Sequence, residues 1–166
     1  IASTACEQAG ARYAALGVLD DAGKLEKFIA VGLSRSEIKR IAHPPVGRGL
    51  IGELMASDVP IRVPVIQEHP KSAGFPANHP VMKSFLGVPI RANDRQIGQI
   101  YLTDKLNEAE FSPDDEMIIQ MLAAYAATAI ANARMVENMK TRDAVLTRRN
   151  ADMNLLNDMA STLTSS

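Results

Sequence analysis

Three histidines carry the most versatile chemistry in this sequence. His43, His69 and His79 each stand directly before a proline. A residue before proline is pushed into extended or turn backbone, so all three read as loop histidines. No pair has the i, i+4 spacing with which two helical histidines grip zinc. The single cysteine, Cys6, excludes an internal disulfide and any multi-cysteine zinc or iron–sulfur site, and it reads as a small apolar helix residue. Asp114-Asp115-Glu116 follows Ser112-Pro113, where acids serve a helix start. Gly47-Arg48-Gly49-Leu50-Ile51-Gly52 has dinucleotide-loop spacing, but it follows His43-Pro44-Pro45-Val46 instead of a strand. It reads as a glycine-rich helix start packed closely on a sheet. Neither G-x-S-x-G nor a P-loop occurs, and no nucleophile stands beside a base. A binding module is expected before an enzyme.

Strand geometry singles out His79. A hairpin turning at Asn93-Asp94-Arg95 puts Tyr101 opposite Gly87 or Val88. Alternation then gives one wholly apolar face, Leu86, Val88, Ile90, Ile100 and Leu102, suited to packing on helices. The other face holds Phe85, Gly87, Pro89, Gln99, Tyr101 and Thr103 and can border a cavity. His79 enters just before the first of these strands. A pocket between sheet and loop can hold both the His79 imidazole and the Tyr101 hydroxyl; the plainer alternative is a Tyr101 that packs on the loop and makes one hydrogen bond.

The elements that must position these residues follow from pattern and punctuation. Helix is expected at 1–8, closed by Gly10. Strands at 12–19 and 26–31 flank the turn Asp20-Asp21-Ala22-Gly23 and form a hairpin. Short helices are expected at 34–42, with Ser34 as N-cap, and at 50–56. A strand at 61–66 contains Pro64 and so belongs at a sheet edge. Residues 67–82, with Pro70, Gly74, Pro76 and Pro80, form a long loop, which in a compact domain is usually functional or disordered. Strands at 84–92 and 96–103 precede a long helix with Ser112 as N-cap and Pro113 in its first turn. The expected fold class is α+β, an antiparallel sheet with added helices.

The 166 residues suit one domain plus extra helix, and the formal charge of −1 offers no basic field for nucleic acid. No apolar run is long enough to span a bilayer, and one cysteine fits a reducing, cytoplasmic setting. Apolar residues recur every seven at Met139, Leu146, Met153 and Ala160, with Met135, Leu156 and Leu163 between them and Arg142 and Arg149 in two slots. Such an imperfect heptad seam predicts a homodimeric coiled coil with a polar middle. The alternative is a solvated helix. The chain opens without Met inside a helical pattern, as expected of a piece of a longer protein.

These motifs resemble those of the GAF domain family, small-ligand sensory modules of signalling proteins. The likeness runs from about Ala9 to Glu137 and rests on Arg12 to Val18, Gly47 to Gly52, Phe85 to Ile90, Ile97 to Thr103 and Phe111 to Glu116. Gly74-Phe75-Pro76 through His79-Pro80-Val81-Met82-Lys83-Ser84-Phe85 is similar to the first GAF domain of the mycobacterial dormancy sensor kinases. That resemblance implies b-type haem sensing O2, NO or CO, with His79 as axial iron ligand and Tyr101 as donor to bound gas. Phe85 and Gly87, on the same strand face as Tyr101, are then expected to border the cofactor. It also implies a sensory domain at 1–138 and a helical linker at 139–166 that leads to output domains of a sensor histidine kinase. A cyclic nucleotide or other metabolite in the same pocket, or a ligand-free dimerisation and relay module, are the alternatives.

Overall fold

A computed structural model describes residues 1–41 and 47–164, with side chains described through residue 150 and at Asp152 and Met153. His43 and the expected end of its helix at Ala42 lie outside the described residues. Two compact units divide the chain, Ile1–Thr128 and Ala129–Ser166.

The first unit contains α1 (Ala2–Gln8), β1 (Ala11–Leu19), β2 (Leu25–Val31), α2 (Arg35–Arg40), α3 (Gly49–Met55), β3 (Ile61–Val63), β4 (Phe85–Ala92), β5 (Arg95–Lys105) and the start of α4 (Pro113–Thr164). The strands form one antiparallel sheet in the order β2-β1-β5-β4-β3. Two hairpins make this order cheap to reach. In the first, Asp20 Oδ1 accepts from the N–H groups of Ala22 and Lys24. In the second, Asn93 and Asp94 both take positive φ (49° and 58°), as a two-residue turn between twisted strands requires.

The β4–β5 register places Gly87 opposite Tyr101 and Val88 opposite Ile100. The apolar face expected from alternation is present: Leu86, Val88, Ile90, Ile100 and Leu102 are all fully buried. On the opposite face a second cluster joins Ala15, Leu50, Leu54, Val63, Ile66, Met82, Phe85 and Tyr101. α1 packs along β1, and α3 packs on β4 and β5.

Three boundaries differ from expectation for local reasons. The edge strand stops at Val63, because Pro64 has no N–H for the ladder. Ile66 instead opens a short 3-10 turn, Ile66–Glu68, and its N–H donates to Lys83 O at 2.7 Å. α2 stops at Arg40, after which Ile41 is extended. β5 runs on to Lys105, where Asp104 adopts φ 57°. Lys105 there donates to Ala9 O at the end of α1 and to both oxygens of Asp115 in the first turn of α4, at 2.9 and 2.8 Å. Asp115 also takes part in a reciprocal cap: its N–H donates to Ser112 Oγ, and Ser112 N–H donates to Asp115 Oδ2.

The second unit is the distal part of α4. Met135, Met139, Leu146 and Met153 are each more than half exposed along it.

Candidate functional site

A cavity of about 420 Å³ opens on the second face of the sheet, a volume within the usual range for small-molecule pockets. β1 contributes Tyr13, Ala14 and Ala15, and β2 contributes Phe28, Ala30 and Val31. β4 adds Phe85, and β5 adds Tyr101 and Thr103. Ile38 and Ile41 come from α2 and its end, Leu50 and Ile51 from α3, and Ser72 to Pro76, His79 and Met82 from the long loop. The walls are therefore mostly apolar, with polar groups at separated points.

His79 is held at three places. Its N–H donates to Pro76 O at 3.1 Å, closing a turn whose third residue, Asn78, has φ 64°. The Asn78 amide donates to Arg40 O at 3.1 Å, tying the turn to the end of α2. The imidazole stacks on Phe75, with ring centroids 5.2 Å apart and planes within 10°. Its Nδ1 lies 2.8 Å from Pro80 O. A carbonyl only accepts, so Nδ1 carries a hydrogen, and in the neutral ring the Nε2 lone pair is left for another partner.

Tyr101 is flanked on its two neighbouring strands by small residues, Ala15 and Gly87. Its ring lies 6.1 Å from that of Phe28. A Cβ on Gly17 would come within 2.7 Å of the hydroxyl, so that glycine makes room for the phenol. The Gln99 amide Nε2 donates to the Tyr101 hydroxyl at 3.2 Å, while Gln99 Oε1 is buried with no partner among the described residues. Exchanging the amide oxygen and nitrogen would let Oε1 accept from the phenol and would orphan Nε2 instead. Either way this buried pair has one hydrogen-bonding atom too many. Burial pushes the phenol up to about 12 against a smaller opposing pull from Gln99, so Tyr101 remains a proton donor throughout the working pH range.

Of the four residues expected at a site, His79, Tyr101 and Phe85 line one cavity and Gly87 does not. The missing Cβ of Gly87 is used for packing: one built there would lie 2.7 Å from both the Phe85 ring and Leu54. Gly87 therefore makes room for the Phe85 ring without lining the cavity itself. His69 is not part of the lining either. Its Nδ1 accepts from Lys71 N–H at 3.3 Å, so it organises the loop. Cys6 is partly buried on α1, where its thiol donates to Ala11 O at 3.0 Å. Burial, reinforced by Glu7, pushes that thiol up. The residues not foreseen are Phe75, Phe28, Ser72 and Arg48. The first and last sit in segments already marked, by the loop prolines and by the paired glycines.

The glycine-rich segment behaves as packing. Gly47 and Gly49 take φ of 70° and 65°, and a Cβ on Gly52 would lie 2.2 Å from Gly47 O. A helix start is thereby pressed against its own preceding turn.

Residues 1–131 match the GAF domain family model. The chain belongs to the GAF domain family. Its fold is similar to the GAF domain of a phosphoenolpyruvate-protein phosphotransferase (ptsP) from Coxiella burnetii, at 26% identity and TM-score 0.68, covering 81% of this chain and 80% of that one. It is also similar to the type II free methionine-R-sulfoxide reductase from Thermoplasma acidophilum, at 24% identity and TM-score 0.61, covering 76% and 84%. A third likeness is to the second GAF domain of DevS from Mycobacterium smegmatis, at 20% identity and TM-score 0.58, covering 83% and 93%. GAF domains are sensory and regulatory modules, found among others in sensor kinases. Among the described residues of this one, no helix is long and apolar enough to cross a membrane.

Proposed function

We propose that this GAF domain senses a small molecule held in the cavity between sheet and loop, that the molecule is b-type haem, and that His79 Nε2 would bind its iron. The observation that carries the reading is the state of His79. Its Nδ1–H is committed to Pro80 O and its ring is stacked on Phe75, leaving one lone pair on a ring that lines an apolar cavity. Metal-binding histidines characteristically give their second N–H to a carbonyl or carboxylate in this way. The aromatic and aliphatic walls suit a flat apolar macrocycle. Haem would supply an iron able to bind O2, NO or CO or to change oxidation state. Tyr101, protonated and directed by Gln99, would supply a hydrogen-bond donor within the same walls.

The likeness to free methionine-R-sulfoxide reductases favours a second reading, a polar metabolite in the cavity. Sulfoxide reduction by a protein thiol needs that thiol beside the substrate. The chain's one cysteine, Cys6, does not line the cavity, so that chemistry has no donor there.

The test is a haemin titration followed by visible absorption. One-to-one saturation with a sharp Soret band, lost or shifted in His79→Ala, is the expected result. A weak band that does not saturate and ignores the substitution would contradict it. Saturable binding of a purine nucleotide by the same preparation would then select the metabolite reading.

A further inference from the structure

Charge is distributed unevenly around the cavity. Its polar lining consists of Tyr13, Ser72, His79, Tyr101 and Thr103, together with Arg48, its one residue of fixed charge among the described residues. No Asp, Glu or Lys joins them. Arg48 is exposed and forms no ion pair with a described carboxylate, whereas Arg62, Arg91 and Arg95 pair with Glu116, Asp58 and Asp21. Residues 42–46, which precede it closely, include no acid.

The backbone that carries Arg48 is fixed from two sides. On one side Gly49 lies against the loop, where an added Cβ would meet Ala73 at 3.1 Å and Lys71 O at 3.4 Å. On the other, Gly47 lies against Gly52 and Met55 of α3. A permanent cation on an anchored backbone thus lines an apolar cavity that also holds two aromatic pairs, Phe75 with His79 and Phe28 with Tyr101.

We propose that the ligand of this cavity carries a carboxylate on a planar aromatic body, and that Arg48 binds that carboxylate. The inference rests on the reading of the cavity as the ligand site and adds the chemical class of the ligand. A guanidinium presents two parallel N–H groups that match a carboxylate, which an ammonium cannot reproduce. The exposed position keeps the cost of desolvating Arg48 low, while the aromatic body is buried behind it. Two sources share this chemistry, the propionates of haem and a free aromatic acid.

The experiment compares wild type, Arg48→Gln and Arg48→Lys against four probes: haemin, haemin dimethyl ester, 2-naphthoate and 2-naphthamide. If haem is the source, Arg48→Gln weakens haemin binding by about tenfold or more, as loss of a charge-assisted pair implies. Arg48→Lys recovers part of that loss, and the ester binds wild type and Arg48→Gln alike. If a free acid is the source, naphthoate binds in preference to its amide, Arg48→Gln abolishes the preference, and haemin shows no saturable site. Equal affinity of acid and ester, or of wild type and Arg48→Gln for every acid probe, overturns the proposal. If haemin binding is nevertheless lost in His79→Ala, the haem reading stands and only the role of Arg48 falls. Absence of saturable binding of any probe to wild type overturns both.

Discussion

At the residue scale the most informative feature is the Gln99–Tyr101 pair. Both side chains are buried, and Gln99 keeps an atom without a partner among the described residues. Natural cores seldom carry such a group unless a ligand or function requires it. Tyr101→Phe removes the partner that the Gln99 amide has among the described residues and should cost about 1–3 kcal/mol of stability. Gln99→Met in the same chain removes the orphaned amide and should recover most of that loss. Chemical denaturation of the two single variants and the double variant checks this: additive losses would show that the pair is not coupled. The hairpin turn and alternation placed Tyr101 on the face that can border a cavity, opposite Gly87 or Val88, and the register settles the pair as Gly87. It could not separate a glycine that borders a cavity from one that accommodates a neighbour's ring. Period-two patterning gives the face of a residue, whereas the position of the Phe85 ring depends on α3, which comes from elsewhere in the chain.

At the element scale, the end of β5 is joined to the helices by a single cation. Lys105 binds Ala9 O of α1 and Asp115 of α4 and lies 3.5 Å from Glu108. Burial alone would lower the ammonium, but its hydrogen bond and charge contact with Asp115, with Glu108 assisting, raise it above the ordinary lysine range. Burial would likewise raise the Asp115 carboxyl, but Lys105 and the Ser112 cap outweigh it and hold the carboxyl below its usual range. A depressed carboxyl contributes stability above its unfolded value, about 3.9, and loses it as pH falls through the folded value. A raised ammonium contributes below about 10.4 and loses it as pH climbs through the folded value. The pair therefore supports the fold across the whole range between. Lys105→Met should cost about 2–3 kcal/mol at neutral pH, because it leaves Asp115 without its cation. The gap between variant and wild type should begin to narrow as pH falls below about 4 and close only below the depressed value of the wild-type carboxyl, where Asp115 is neutral in both. A pH series of denaturation curves checks this, and a pH-independent gap would contradict it.

The elements themselves were largely legible. Ser112-Pro113-Asp114-Asp115 marked the start of α4, Ser34 the start of α2 and Asn93-Asp94 the last hairpin. All three are local chemistry, resolved within four residues. The loop around His79 was visible only as a proline-rich interruption. Its order comes from distant partners: Arg40 for Asn78, Glu53 for Lys71 and Thr103 for Met82. The cavity wall on β2 was equally hidden, because Phe28 stands in a strand whose residues are all exposed or half-buried and so gives no clean alternation.

At the scale of the whole molecule, the distal part of α4 presents Met135, Met139, Leu146 and Met153 to solvent at heptad spacing, interrupted by Arg142 and Arg149. An apolar row at this spacing is the pattern that a second identical helix covers, and the arginines would weaken its middle. We expect the protein to sediment as a dimer and Met139→Glu with Leu146→Glu to sediment as a monomer. A wild-type monomer at high micromolar concentration would contradict a helix-mediated dimer.

The role of His79 in holding the ligand decides how this domain senses. The most direct measurement is the visible spectrum of the haem-loaded protein, oxidised, reduced and under carbon monoxide, for wild type and His79→Gly, the latter with and without free imidazole. A histidine-ligated spectrum is expected in wild type, with its loss in His79→Gly and its return when imidazole occupies the space left by the side chain. Identical spectra in wild type and His79→Gly without imidazole would show that the ligand, if bound at all, is not held by His79.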